Sequence, residues 1–143
     1  MKAYLNRRYK FSASHRLHSA DLSEEENRRT YGKCNNPHGH GHNYVIELTL
    51  SGEVDPVTGM VCNLGDLDGF MHREMIDRFD ESNLNLDEWF RETVPTSEAV
   101  CKRIFDHVAM HFTLARLERV RVEETAQNAF EYYHPDSSGK LHL

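Results

Sequence analysis

The stretch HGHNYVIELTL, residues 40–50, alternates: His40, His42, Tyr44, Ile46, Leu48 and Leu50 share one parity, and Asn43, Val45, Glu47 and Thr49 the other. Successive side chains of a strand project to opposite faces, so this is a strand with one face turned to a core. The two histidines at its start project to that same side. Upstream, YKFSASHRL (residues 9–17) places Phe11, Ala13, His15 and Leu17 on one face and Lys10, Ser12, Ser14 and Arg16 on the other. It is a second half-buried strand, with a third histidine on its apolar parity. If the two strands pair, three imidazoles converge from a rigid sheet.

Between them lies a polar excursion, His18 to Gly39, in which Ser23 caps a short helix and Glu26 completes a capping box. The run NNPHG closes it as a turn. Beyond residue 50, DPVTG (55–59) is a turn signal that joins the central strand to GMVCNL (59–64), predicting a hairpin. A helix is predicted from about Asp66 through LDGFMHREMIDRF, where Leu67, Phe70, Met71, Met75 and Phe79 recur at intervals of three and four. Residues 80–95 read as a loop with one helical turn. Thr96 then serves as N-cap for a helix from Ser97 to about Phe112, with Glu98 in its electropositive first turn. LERVRVEET (117–125) alternates as a strand, and FEYY (130–133) is its partner. This order predicts an α+β fold, an antiparallel sheet with both long helices on one face. With no repeat or linker, residues 1–143 form a single domain.

A net charge of −6, from 23 acidic and 17 basic residues, argues against general binding to a nucleic-acid backbone, which needs a cationic footprint. A local basic pocket for a phosphorylated small molecule is compatible with it. No stretch approaches the ~20 apolar residues of a membrane helix, and MKAYLNRRYKFS lacks the apolar block of a secretory leader. The expected location is the cytoplasm. Three cysteines, Cys34, Cys62 and Cys101, are an odd number without the paired spacing of a thiolate zinc site, and fit a reducing compartment.

Three protein nitrogens with a position left open is the arrangement of catalytic Zn²⁺, whereas closed structural sites use four protein ligands. Among ten histidines some will fall two apart by chance, and the chemistry rests on the convergence of His15, His40 and His42. His107 and His111 stand at i, i+4 but lack the glutamate of an HExxH helix, so they read as histidines at the core edge. Cys34, six residues before His40, is either an inert buried thiol or a thiolate that takes a proton from a carbon whose oxygen the metal polarises. Glu124 shares parity with Val120 and Val122, which puts a carboxylate on an apolar face. Burying it is costly unless it is paired, either with a cationic side chain or with adjacent N–H donors of a planar ligand.

These residues resemble the 6-pyruvoyl-tetrahydropterin synthase family over nearly the whole chain. The resemblance rests on FSASHRL, EEEN, GKCNNPHGHGHNY, GEVDPVTGMVCNL, FDESNLN, PTSEAV and VRVEET. The related carboxy-tetrahydropterin synthases resemble the NNPHGHGHNY spacing less closely. The resemblance implies zinc ligands at His15, His40 and His42, a catalytic thiolate at Cys34 and a pterin anchor at Glu124. Thr96 and Ser97 would line the pterin pocket. It implies the tunnelling fold, a four-stranded antiparallel sheet with two helices on one side. Trimers join sheets into a barrel, and two trimers stack into a homohexamer. The implied reaction is that of a lyase, converting 7,8-dihydroneopterin triphosphate to 6-pyruvoyl-tetrahydropterin and triphosphate, with no nicotinamide cofactor. One position departs from the pattern. Asp80 matches an aspartate of the family's proton relay, but Glu81 stands where the family has histidine, and both would serve a neighbouring subunit. That substitution leaves two alternatives standing, a carboxy-tetrahydropterin synthase and a zinc-dependent pterin-binding protein without turnover.

Overall fold

The computed structural model describes residues 1–136. Strand β1 (Lys2–His15) runs antiparallel to β2 (His40–Glu53) along its whole length, with Lys2 opposite Glu53 and His15 opposite His40. β1 therefore begins well before residue 9, where charged residues mask the alternation, and ends at His15, short of Leu17. Two later strands extend the sheet, β4 (Arg116–Thr125) beside β2 and β5 (Asn128–Tyr133) beside β4, both antiparallel.

The predicted hairpin partner GMVCNL is not a strand. β2 already has β1 on one edge and β4 on the other, so no hydrogen-bonding edge is left for it. The DPVTG turn does form, with Gly59 N–H donating to the Asp55 carbonyl at 2.7 Å. The sheet's other unforeseen member is β3 (Ser82–Asn83), parallel to β1 at Ala13 and Ser14, which makes the order β3-β1-β2-β4-β5. Two residues carry no period for a sequence pattern to reveal. Among the described residues, the expectation of four antiparallel strands and two helices is thus corrected to five strands in a mixed sheet and three helices, and within one chain that sheet is open.

Helix α1 (Glu24–Tyr31) has the predicted capping box, with Ser23 accepting from the Glu26 N–H at 3.1 Å. It buries only Asn27 and stays outside the core. Helix α2 (Leu64–Met71), capped by Asn63, continues through a π-helical turn (His72–Ile76) into Asp77–Phe79. Between β3 and the next helix, two short 3₁₀ turns (Leu84–Leu86 and Glu88–Phe90) replace the single expected turn. Helix α3 (Ser97–His111) begins at Thr96, whose hydroxyl accepts from the Ala99 N–H at 3.2 Å.

Helices α2 and α3 cover one face of the sheet. Their Leu67, Met71, Met75, Val100, Ile104 and Val108 bury against Phe11, Tyr44, Ile46, Leu48, Val120 and Val122. Burying such a side chain fully stabilises the fold by roughly 1.5–3 kcal/mol. Cys101 sits in this core with its thiol 3.1 Å from the Val120 carbonyl, and Cys62 packs at its margin, so both are structural thiols. The opposite face is polar: Glu47 lies between Arg8 (2.5 Å) and Arg119. Among the described residues, no helix is long and apolar enough to cross a membrane.

Candidate metal centre

The paired ends of β1 and β2 bring the three histidines together on the core-facing side, as their parity requires. The ring centroids of His15, His40 and His42 lie 4.4–5.1 Å from one another. His15 is 1% exposed, and its Nδ1 lies 2.9 Å from the carbonyl oxygen of Pro95. A carbonyl only accepts, so Nδ1 carries the proton and Nε2 presents its lone pair inward. Burial lowers the pKa of His15, against the Pro95 bond that raises it. It lowers that of His42 as well, against the charge of Glu124. Both imidazoles are thereby held in the neutral form that binds metals.

Nε2 of His15, His40 and His42 are each buried without a hydrogen-bond partner. An unsatisfied buried polar atom is costly, and three of them facing one space fit a metal ion. Two overlapping donor sets lie within 4.8 Å: His15, Cys34 and His40, and His15, His42 and Glu124. The two helix histidines form no such set. The rings of His107 and His111 lie 4.4 Å apart, tilted by 46°, with His107 Nε2 3.6 Å from Glu74.

Cys34 belongs to a 3₁₀ turn (Gly32–Asn35) tied back to the end of β1. Leu17 N–H donates to the Cys34 carbonyl at 2.7 Å, and the buried Asn35 amide donates to the Leu17 carbonyl at 2.7 Å. The thiol is thus held beside His15 and His40. Burial pushes its pKa up, and the Glu124 carboxylate adds to that rise.

Glu124 reaches the site through a β-bulge. Pairing of β4 with β5 shifts between Glu123 and Thr125, which leaves Glu124 as the extra residue and re-aims its side chain. One carboxylate oxygen lies 3.0 Å from His42 Nε2, without hydrogen-bond alignment, and the other accepts from the Ser97 hydroxyl. Ser97, 2% exposed at the start of α3, connects the helix to this corner of the site. Thr96 faces its own helix as the cap.

Asp80 and Glu81 stand elsewhere. Asp80 Oδ1 accepts from the Ser12 N–H at 2.9 Å, and Glu81 N–H donates to the Ser12 carbonyl at 2.6 Å. Both are exposed at the outer edge of β1, Glu81 with a positive φ of 57°. Neither belongs to a donor set, and the carboxylate acting on Cys34 is that of Glu124. Sequence reasoning missed the Pro95 carbonyl, because a backbone acceptor 80 residues from His15 leaves no mark in residue identity. Tyr44 OH, 3.3 Å from His15 Nδ1, was legible only as a core residue.

The model of the family described as 6-pyruvoyl tetrahydropterin synthase matches residues 4–135. The chain is 46% identical to the human protein named 6-pyruvoyl tetrahydrobiopterin synthase over 132 residues, 92% of this chain and 91% of the relative. It is 42% identical to the Drosophila melanogaster protein of the same name over 135 residues, covering 93% and 80%. The solved structure of Caenorhabditis elegans 6-pyruvoyl tetrahydropterin synthase superposes with a TM-score of 0.88 at 44% identity, covering 94% of this chain and 96% of that one.

Proposed function

The chain belongs to the 6-pyruvoyl tetrahydropterin synthase family, and on that premise we propose that it is a zinc-dependent lyase of the cytoplasm. It converts 7,8-dihydroneopterin triphosphate to 6-pyruvoyl-tetrahydropterin and triphosphate. The observation that carries this reading is the convergence of three orphaned imidazole nitrogens with a thiol on one side and a hydrogen-bonded carboxylate on the other.

Zn²⁺ held by His15, His40 and His42 would supply Lewis acidity, polarising oxygens of the substrate side chain so that the neighbouring C–H bonds lose protons more readily. Cys34 takes a proton from a side-chain carbon and returns it to a neighbouring position, which moves the oxidation level along the side chain. Glu124 accepts hydrogen bonds from the amino and ring N–H groups of the pterin. Ser97 fixes the carboxylate for that task, and Thr96, by capping α3, fixes Ser97. The Pro95 carbonyl orients His15.

The single domain, residues 1–143, is the subunit of a homohexamer in which the sheets of three chains close a barrel. The open sheet edges and the position of Asp80 and Glu81 support this, since these two residues are bonded to Ser12 and join neither donor set. They serve the site of a neighbouring subunit. Glu81 carries protons there as a carboxylate in place of the imidazole of other members.

Incubating the zinc-loaded protein with 7,8-dihydroneopterin triphosphate and identifying the products tests the assignment. A pyruvoyl pterin with inorganic triphosphate is the predicted result. Release of acetaldehyde would make it a carboxy-tetrahydropterin synthase, and tight binding without conversion would make it a pterin-binding protein.

A further inference from the structure

Helix α3 carries a second pair of histidines that the proposed chemistry does not use. His107 and His111 are four residues apart, so both project from the same face of the helix. Their ring centroids lie 4.4 Å apart, the spacing of His40 and His42 on the sheet. His107 Nε2 is buried without a hydrogen-bond partner, and the Glu74 carboxylate lies 3.6 Å from it. Outside the sheet cluster, no other imidazole nitrogen is orphaned in this way among the described residues.

Glu74 is delivered by the π-helical turn, His72–Ile76, through which α2 continues. Such wide turns are rare and recur at functional sites. Burial, foremost, and the neighbouring His111 lower the pKa of His107, against the charge of Glu74, so the ring is neutral at neutral pH and able to bind a metal. Arg78 acts on His107 in the same sense as His111, and its own charge is offset by Asp87 at 2.7 Å. The three donor groups do not all lie within 4.8 Å of one another. His111 is the exposed member, and it borders a cavity of about 360 Å³ beside Gly69, where an added methyl group would meet nothing within 4 Å. Its ring has room to turn toward His107 and Glu74, and water has room to complete the coordination.

We propose that His107, His111 and Glu74 form a second metal site, which takes a borderline transition-metal ion such as Ni²⁺ or Zn²⁺ and ties the π-helical turn to α3. Two imidazoles and a carboxylate suit these ions, whereas Mg²⁺ and Ca²⁺ prefer oxygen donors alone. The site shares no residue with the cluster on the sheet, and it lacks the glutamate that an HExxH helix uses to activate water. Its role is therefore structural: an ion held by both elements stabilises the folded state as its concentration rises above Kd. Two imidazoles at a part-exposed surface hold a metal less tightly than three whose Nε2 atoms are all buried. Dialysis against a mild chelator therefore empties this site and leaves one zinc per chain.

Trp89, the single tryptophan, has its ring 5.0 Å from that of His107 and reports on the site directly. Ni²⁺ titrated into the dialysed protein should quench its fluorescence to saturation at one nickel per chain, with the zinc retained in a metal assay afterwards. His111 is exposed, so His111→Asn should fold normally. It should weaken nickel binding about tenfold or more, since one imidazole of the chelate is lost. Glu74→Gln should weaken it less. The melting temperature should rise with nickel in the wild type and far less in His111→Asn. Equal apparent affinity in the wild type and His111→Asn, an absence of saturable quenching, or quenching that follows release of zinc would overturn the site.

Discussion

Glu124 Oε1 lies 3.0 Å from His42 Nε2, while Oε2 accepts a hydrogen bond from Ser97. A residue read from sequence as a ligand anchor therefore touches one read as a metal ligand. The three histidines suffice for the metal, which leaves Glu124 for the pterin. Glu124→Gln should keep zinc stoichiometry and weaken pterin binding about tenfold or more, the scale of a hydrogen bond to a charged group. Metal analysis beside a pterin titration reads both, and a variant that loses zinc would instead make Glu124 a ligand.

Cys34 is placed beside two of the histidines without serving the fold's core. Cys34→Ala should lower turnover by about 10²–10⁴, the range of general acid–base contributions. Its zinc content and pterin affinity should match the wild type. Unchanged turnover in steady-state assays would remove the thiol from the mechanism.

Asp80 and Glu81 bond to Ser12 at the outer edge of β1 and join neither donor set. If they complete a neighbour's site, an inactive Cys34→Ala protein and an inactive Asp80→Ala/Glu81→Ala protein should restore each other on reassembly. In an equal random mixture of subunits, about a quarter of the sites would combine both intact halves across a head-to-tail interface. No recovery after verified subunit exchange would place both halves of the site in one chain.

The polar face of the sheet makes a pH prediction. Burial alone would raise the pKa of Glu47, but hydrogen bonds and charge from Arg8 and Arg119 bring it below the ordinary carboxylate value. A carboxyl lowered in the folded state contributes stability that is present above its unfolded pKa and lost as pH falls through the folded one. Glu47→Gln should cost about 1 kcal/mol near neutral pH, since Arg119 loses one charged partner but keeps Thr49 and Glu131. The gap to the wild type should close in acid, as thermal unfolding across a pH series would record.

Where physics is local, the sequence was readable. The alternation that begins at His40 fixed the face shared by His40, His42 and Tyr44, and Ser23 and Thr96 announced their helices as caps. Glu124 was placed on the correct face by parity, although the bulge that aims it was invisible. The failures are tertiary. GMVCNL lost its strand because β4, which begins at Arg116, occupies the edge it needed. β3 exists because Asp80 and Glu81 bond to Ser12, and the Pro95 carbonyl meets His15 only once the chain has closed. Arg16, Arg28 and Lys33 are scattered along residues 16–33 and line one cavity only when β1, α1 and the following turn meet.

X-ray absorption at the zinc edge of the resting protein tests the central claim most directly, because the donor sets join His15 either to Cys34 and His40 or to His42 and Glu124. The account predicts one zinc per chain, with nitrogen and oxygen scatterers at about 2.0–2.1 Å and no sulfur shell. A sulfur scatterer at about 2.3 Å would make Cys34 a metal ligand and contradict its role as the proton-carrying thiolate.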